Sequence, residues 1–524
     1  MYDYVIVGAG SAGCTLAARL SEDPGARVLV LEAGTTDKMQ EVRIPAAFAK
    51  LFHTPRDWDY LTEPEPHTGN RARYWPRGKM LGGSSSMNAM MYVRGHTSDY
   101  DQWRQLGNSG WGFDDVLPYF KRSEAFAGEG GDPLFHGTDG ALHVSSQRSP
   151  SPLAEAFIAA GQYLGLKRVD DINGSVQDGI GLTHVTQRDG RRWSAADAFL
   201  KPAMRRSNLA VETNCLVHRV IFDGKKATAV AYEQRGSIKQ ANVTKEIILC
   251  AGAIGSPQIL MLSGVGPAGV LCEHGIEVTA DLPGVGQNLQ DHIASGVTHQ
   301  CKQPVTLASA ESLGNLVRYL VLGRGPLTSN IAEALAFIRT RDGLIAPDIE
   351  LIFAPTFFME HGAANPPGHG FTVGAVLLRP ESRGSITIKS SDPSEHPSIR
   401  PGYLSDESDL LALLAGARFA RKLVAAPPFQ PYRGDEVWPG VDKQTDEELA
   451  DFVRERVETL YHPVGTCKMG SDAFAVVDNQ LHVRGLTRLR VADASIMPTI
   501  IGGHINAPAI MIGEKAADLI RAAP

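Results

Sequence analysis

A mixed α/β (α+β) fold is predicted for these 524 residues, with one domain assembled from separate stretches and a second inserted on an antiparallel sheet. Three features predict it. The chain opens on an apolar run, Tyr4-Val5-Ile6-Val7, a glycine turn, Gly8-Ala9-Gly10-Ser11-Ala12-Gly13, and a second apolar run, Val28-Leu29-Val30-Leu31, closed by Glu32. Glycine-rich apolar blocks then recur at 4–34, 77–95, 247–290 and 461–513, separated by more polar, proline-punctuated regions at 112–200 and 300–450. Within the later of those regions, Ala334–Arg339, Ile349–Ala354, Phe371–Leu378 and Gly384–Ile388 read as strands,.

The opening stretch reads as strand, turn, helix, strand, acid, the layout of a Rossmann-like βαβ unit. Gly8 permits the tight turn, Gly10 lets backbone approach a pyrophosphate, and Gly13 lets the helix lie close to the strand,. The helix begins near Ser11 and carries Leu16, Ala17 and Leu20 on its apolar side. Its positive end and free N–H groups suit the phosphate charge. Glu32 follows the glycines by about 20 residues, where a carboxylate accepts from ribose hydroxyls,. The pattern indicates a dinucleotide without choosing between NAD and FAD.

Further along, Leu216–Phe222 and Ala227–Tyr232 read as a hairpin turning at Asp223-Gly224,. Ala241–Leu249 is a strand running into another glycine turn, and an amphipathic helix is expected near Met511–Ala522,. Residues 247–272 carry no charge and are long enough to span a bilayer,. Repeated Gly, Pro, Ser and Gln break them, so a buried strand-turn-helix-turn is expected there instead. Bringing the glycine blocks together places the cofactor domain at 1–150, 206–300 and 456–524, with the inserted domain at 151–205 and 301–455.

Composition is that of a globular protein, 43% hydrophobic and 21% charged, with a net charge of −7. Basic residues are scattered, the densest being pairs such as Arg191-Arg192, so nucleic-acid binding is not expected,. The six cysteines lie far apart without metal-ligand spacing, which predicts no metal site and suits a reducing compartment,. Cys14 and Cys250 read as core thiols. A soluble cytoplasmic protein with no transmembrane segment is expected, loose membrane association being left open.

Two histidines stand on glycine/proline turns in the last block. His462 precedes Pro463, which disfavours a helical conformation at the histidine,. His504 follows Gly502-Gly503 and precedes a helix. An acid–base pair and two structural loop histidines are both consistent with position alone.

Several longer strings resemble one family. Gly78-Lys79-Met80-Leu81-Gly82-Gly83-Ser84-Ser85-Ser86-Met87-Asn88 is similar to the first signature of the glucose–methanol–choline (GMC) oxidoreductases. Gly252-Ala253-Ile254-Gly255-Ser256-Pro257, continuing to Ser263-Gly264-Val265-Gly266, is similar to the second. Gly284 to His292, Tyr461–Gly465 and Val491–Pro498 follow in the family's order, so the resemblance runs nearly end to end. Bacterial choline-dehydrogenase-like and other FAD-dependent alcohol dehydrogenases look nearest.

The resemblance implies FAD. Gly8, Gly10, Ser11, Ala12 and Gly13 would hold its pyrophosphate, Glu32 with Ala33 the adenosine side, and Val217 the adenine. Gly82 through Asn88 would pass along the flavin, Asp493 and Ala494 by the pyrophosphate–ribityl region, Ile505 and Asn506 near the pyrimidine end. Met87 stands where some members carry a histidine linked covalently to FAD, so non-covalent binding is implied.

His462 matches the family's catalytic histidine and His504 its partner position. They would assist oxidation of an alcohol to an aldehyde or ketone, the hydride going to flavin N5. Glu333, Phe353 and Phe357, with Phe358, are candidates for the substrate wall, Glu333 as an attractor of a cationic alcohol. Leu460 is placed near the flavin's oxygen-reactive carbon. A small-molecule alcohol and an electron acceptor (quinone, dye or dioxygen) are the expected partners, in a monomer or homodimer. A dehydrogenase is favoured over an oxidase. A non-redox FAD lyase or decarboxylase and a non-catalytic cofactor-binding protein are the competing readings.

Overall fold

Two seven-stranded sheets organise the molecule. The computed structural model describes residues 1–364 and 366–523. In the first sheet Tyr2–Val7 lies between Val28–Glu32 and Ser237–Leu249, parallel to both, with Leu209–Thr213 beyond Val28–Glu32. Leu489–Val491 also runs parallel beside Ser237–Leu249. Val5, Ile6, Val28, Val30, Ile247, Leu249 and Val491 are all buried. Such continuous apolar runs are what a parallel sheet covered on both faces requires, and each such side chain contributes about 1.5–3 kcal/mol.

The hairpin predicted from Asp223-Gly224 is present. Cys215–Asp223 pairs antiparallel with Lys226–Gln234, and Asp223 faces Lys226 across the turn.

Helix Ser11–Leu20 packs against helix Asn506–Ala522, so the two ends of the chain share one core. The fully buried Glu514 joins them, accepting from Arg19 Nε at 2.8 Å and from Arg122 Nε at 2.7 Å. The C-terminal helix begins five residues before the predicted Met511, and its polar Glu514 and Lys515 are buried rather than solvent-facing. Glu514 is ion-paired to Arg19 and Arg122 while Lys515 lies over the Trp111 and Tyr119 rings, partners the sequence pattern does not show.

In the second sheet the order is Arg433–Trp438, Ile293–Cys301, Gly370–Leu377, Ile349–Ala354, Ala334–Ile338, Gly179–Leu182, each pair antiparallel. Glu458–Thr459 also pairs with Ile293–Cys301. Helix Glu407–Ala425, capped by Asp406 accepting from Ser408 N, packs on this sheet. Strand Ile293–Cys301 lies wholly in the second sheet, so a boundary at 300 cuts through it; the break falls before Ile293. Ser385–Thr387, within the predicted Gly384–Ile388 run, pairs only with Ser398–Arg400 in a separate ladder. The 247–272 stretch is the end of a strand followed by helices Gly252–Leu262 and Ala268–Glu273. Among the described residues no helix is long and apolar enough to cross a membrane.

Candidate active site

A cavity of about 600 Å³ lies where the two sheets meet. At one end it is lined by Gly8, Gly10, Ser11, Ala12, Glu32, Ala33 and Val217, and further along by Asn88, Asp493, Ala494, Ile505 and Asn506. Met87 and Leu460 also line it.

Gly13 and Gly82 do not. A Cβ on Gly13 would sit 2.0 Å from the Gly8 carbonyl oxygen, so this residue sets the helix-to-strand approach. Gly82 lies behind the lining, its N–H donating to Ala9 O at 2.8 Å.

The nucleotide-turn residues are themselves tightly positioned. Gly8 has φ +99°, and a Cβ there would lie 2.6 Å from Cys250 O. The buried Glu32 carboxylate accepts from Ala9 N and Gly34 N, each at 2.8 Å, and burial pushes it up to about 7. Ser11 Oγ donates to Asn506 Oδ1 at 2.7 Å, joining the first helix to the last. Asp493 is fully engaged by the protein. One oxygen accepts from Gly252 N (2.8 Å) and Ser256 Oγ (2.5 Å), the other from Ser495 N and Oγ. These bonds tie it to the start of helix Gly252–Leu262, and it also lines the cavity.

His462 and His504 face each other at the other end, ring centroids 4.8 Å apart and planes at 85°. Both are buried and both line the cavity. The segment before His462 is strained: Tyr461, a bulky residue, has φ +68°,. It is held by Thr459 Oγ1 accepting its N–H at 2.8 Å, Arg77 donating to its carbonyl at 2.8 Å, and its hydroxyl 2.6 Å from His361 Nδ1. His504 N donates to Val93 O, and Gly502 N to Asp99 Oδ2 at 2.7 Å, fixing the second turn.

Three residues that position this pair were not singled out from the sequence. Asp291 accepts the His462 backbone N–H at 2.7 Å and also takes the hydroxyls of Thr459 and Tyr403. His292 lies with its Nδ1 2.9 Å from His462 Nδ1, while its Nε2 is 3.2 Å from Leu378 O. A carbonyl only accepts, so His292 Nε2 carries the proton and its Nδ1 accepts from His462 Nδ1–H. The nitrogen of His462 left with a lone pair is therefore Nε2. Glu350, with no exposed surface, lies 3.1 Å from His504 Nε2. Its sequence signal was an acid inside the apolar strand Ile349–Ala354. Burial, with His504, His292 and Arg77 close by, holds His462 well below the usual imidazole range.

The proposed substrate wall needs correction. Glu333 does not line the cavity; it is buried, its carboxylate accepting from Ser151 N and Ser329 Oγ at 2.6 Å each. Phe353 belongs to the core on the far side of the sheet, because strand alternation turns Ile352 and Ala354 toward the cavity instead,. Phe357 is buried against Gly370, whereas its neighbour Phe358 does line the cavity.

The profile of the GMC oxidoreductase family matches residues 2–294 with its N-terminal part and 380–513 with its C-terminal part. An uncharacterized GMC-type oxidoreductase of Mycobacterium tuberculosis (strain ATCC 25618 / H37Rv) is 48% identical over 526 residues, covering 99% of both chains. An oxygen-dependent choline dehydrogenase of Brucella ovis is 44% identical over 525 residues, covering 99% of this chain and 95% of the relative. Among solved structures, pyridoxine 4-oxidase from Mesorbium loti superposes with a TM-score of 0.91 at 35% identity, covering 100% of both chains. Formate oxidase gives 0.93 at 29% identity, covering 99% of this chain and 98% of the other. On these matches the chain belongs to the GMC oxidoreductase family.

Proposed function

We propose that this chain is an FAD-dependent oxidoreductase that converts the CH–OH group of an alcohol to a carbonyl, with His462 as base and His504 as donor to the same oxygen. The observation that carries this reading is the unlike bonding of two facing imidazoles: His462 against a neutral histidine, His504 against a buried carboxylate.

The cavity suits FAD. It reaches the N-terminus of helix Ser11–Leu20, and a Cβ built on Gly10 meets nothing within 4 Å, leaving room for phosphate. Gly10, Ser11 and Ala12 would hold the pyrophosphate, Glu32 the ribose, Val217 the adenine, and Asn88, Ala494, Ile505 and Asn506 the flavin side. Bound FAD supplies the acceptor for the hydride leaving the carbinol carbon.

The protein's own part is proton handling and position. His462 Nε2, unprotonated at neutral pH, takes the hydroxyl proton. His504, its Nε2–H held by Glu350, is placed to donate to the oxygen from Nδ1 in the form that carries a proton on both ring nitrogens,. Asp291 and His292 keep His462 from turning. The unlike partners of the two imidazoles divide the base and donor roles.

Met87 lines the cavity at the position where a histidine would be needed for covalent attachment. FAD is therefore expected in the supernatant after acid precipitation of the holoenzyme. Anaerobic mixing with a panel of aliphatic, benzylic, polyol and choline substrates is expected to bleach the flavin absorbance with at least one alcohol. A yellow protein that no alcohol bleaches would favour a lyase or a non-catalytic role. Reoxidation by air and by a soluble quinone, followed side by side, separates oxidase from dehydrogenase. His504→Ala is expected to slow bleaching by about 10²-fold. His504→Asn, which still donates to the oxygen, should retain at least tenfold more activity than the alanine variant.

A further inference from the structure

The face of the second sheet that fronts the cavity has three rungs, read from strand register. The first holds Ala294 and Val376, beside the histidine pair: Val376 is also paired with Glu350, the partner of His504. The second holds Gly296, Gly374 and Ile352. The third holds Thr298, Thr372 and Ala354. All of these except Glu350 line the cavity.

The middle rung is a trough with two glycines for a floor. Gly296 is required by the fold, since a Cβ there would lie 2.2 Å from Val373 O. Gly374 is not: a Cβ there meets only Ile352 O, at 4.0 Å. Strand interiors disfavour glycine, which forfeits packing and ordering entropy. A glycine with room for a side chain, in the middle of a sheet and facing the cavity, leaves space that the protein itself does not use.

From residue 294 to 298 the trough runs roughly 14 Å at about 3.4 Å per residue. Its walls are aliphatic or hydroxyl-bearing, and Thr298 and Thr372 satisfy one another across the last rung at 3.3 Å. Neither Glu350 nor Glu333 lines the cavity. Glu350 is engaged by His504, and Glu333, beyond Ala354, by Ser151 and Ser329. Glu458, at the sheet edge opposite Ala294, also lines the cavity, and burial pushes its carboxyl up to about 7. The cavity-lining side chains of the three rungs are all uncharged and offer a cationic head no counter-charge, whereas each methylene laid in the trough gains about 0.8 kcal/mol,.

We propose that the substrate is an uncharged alcohol with an elongated apolar tail, its hydroxyl at His462 and His504 and its tail lying over Gly374 along the sheet. This rests on the alcohol-oxidising reading above and names the substrate class of that site.

The test uses the FAD-loaded enzyme with 1-octanol, 1-propanol and choline, reading flavin bleaching and steady-state kcat/KM. For the unaltered chain, 1-octanol is expected to exceed both others by at least 100-fold. Gly374→Val fills the trough, its Cβ lying 4.0 Å from the nearest backbone atom, Ile352 O. It should lower kcat/KM for 1-octanol at least tenfold through KM, change 1-propanol less than twofold, and leave FAD content and Tm unchanged. Ile352→Phe fills the same rung from the neighbouring strand and should act alike, which covers the case in which the valine variant does not fold. Choline or 1-propanol matching 1-octanol, or fillings that affect both chain lengths equally or not at all, would overturn the proposal while leaving alcohol oxidation intact. Failure of every alcohol to bleach the flavin would overturn both.

Discussion

Replacing His462 with alanine is expected to slow anaerobic flavin bleaching by about 10³-fold with FAD content unchanged, the middle of the range for loss of a positioned general base. The size follows from the surroundings. His462 is buried, its Nδ1 is bound to His292, and Nε2 is its one free ring nitrogen. A variant that bleached within tenfold of the parent rate would remove the base role. The pH profile gives a second reading of the same residue. Because His462 is held well below the usual imidazole range, it stays unprotonated as pH falls through 7 and 6. The bleaching rate is therefore expected to stay flat between pH 8 and 6, where an ordinary exposed histidine, with a pKa near 6.5, would already have lost more than half of its base form. A rate that fell tenfold across that interval would contradict the assigned environment.

Gly13→Ala is expected to give a chain that purifies without FAD and melts at a clearly lower temperature. The added methyl would start 2.0 Å from the Gly8 carbonyl and 3.3 Å from Cys250 Cβ. The near contact is backbone, so helix Ser11–Leu20 must move off the sheet rather than a side chain swing aside. Overpacking of this kind costs about 1–3 kcal/mol. The same shift moves Ser11 and Ala12, which line the cavity, and breaks the Ser11–Asn506 bond that joins the first and last helices. An alanine variant with full FAD content and an unchanged Tm would show that the close approach is not needed. Differential scanning fluorimetry and flavin absorbance read both quantities on one sample.

The βαβ unit was legible because its chemistry is local: strand, glycine turn, helix and acid follow one another within about thirty residues. The two histidines stood out on their glycine and proline turns, but position alone left acid–base and structural readings open, and the resemblance to the GMC family chose between them. The substrate wall was not. Strand Ile349–Ala354 has buried residues on both faces, so nothing in its pattern says that Ile352 rather than Phe353 fronts the cavity. Glu333 read as a free carboxylate because its partners, Ser151 and Ser329, are brought to it only by the fold. Glu350 carried a usable signal, an acid in an otherwise apolar strand, which reads in retrospect as a charge needing a specific buried partner. The boundary near residue 300 went wrong for a different reason. The apolar character of 247–290 continues into Ile293–Cys301, and composition does not record which sheet a strand joins.

The threading of the first sheet has a consequence for how the protein comes off the ribosome. Tyr2–Val7 is made first, yet its neighbour Ser237–Leu249 emerges about 235 residues later, a wait of roughly 12–50 s at ordinary elongation rates,. Leu489–Val491 and the helix that covers Ser11–Leu20 come at the very end. The nascent N-terminal half therefore exposes an unfinished sheet edge through most of translation, and the nucleotide cleft closes only with the last thirty-odd residues, the same ones that deliver His504. Assembly of the cleft is therefore a late event, completed by the segment that carries His504.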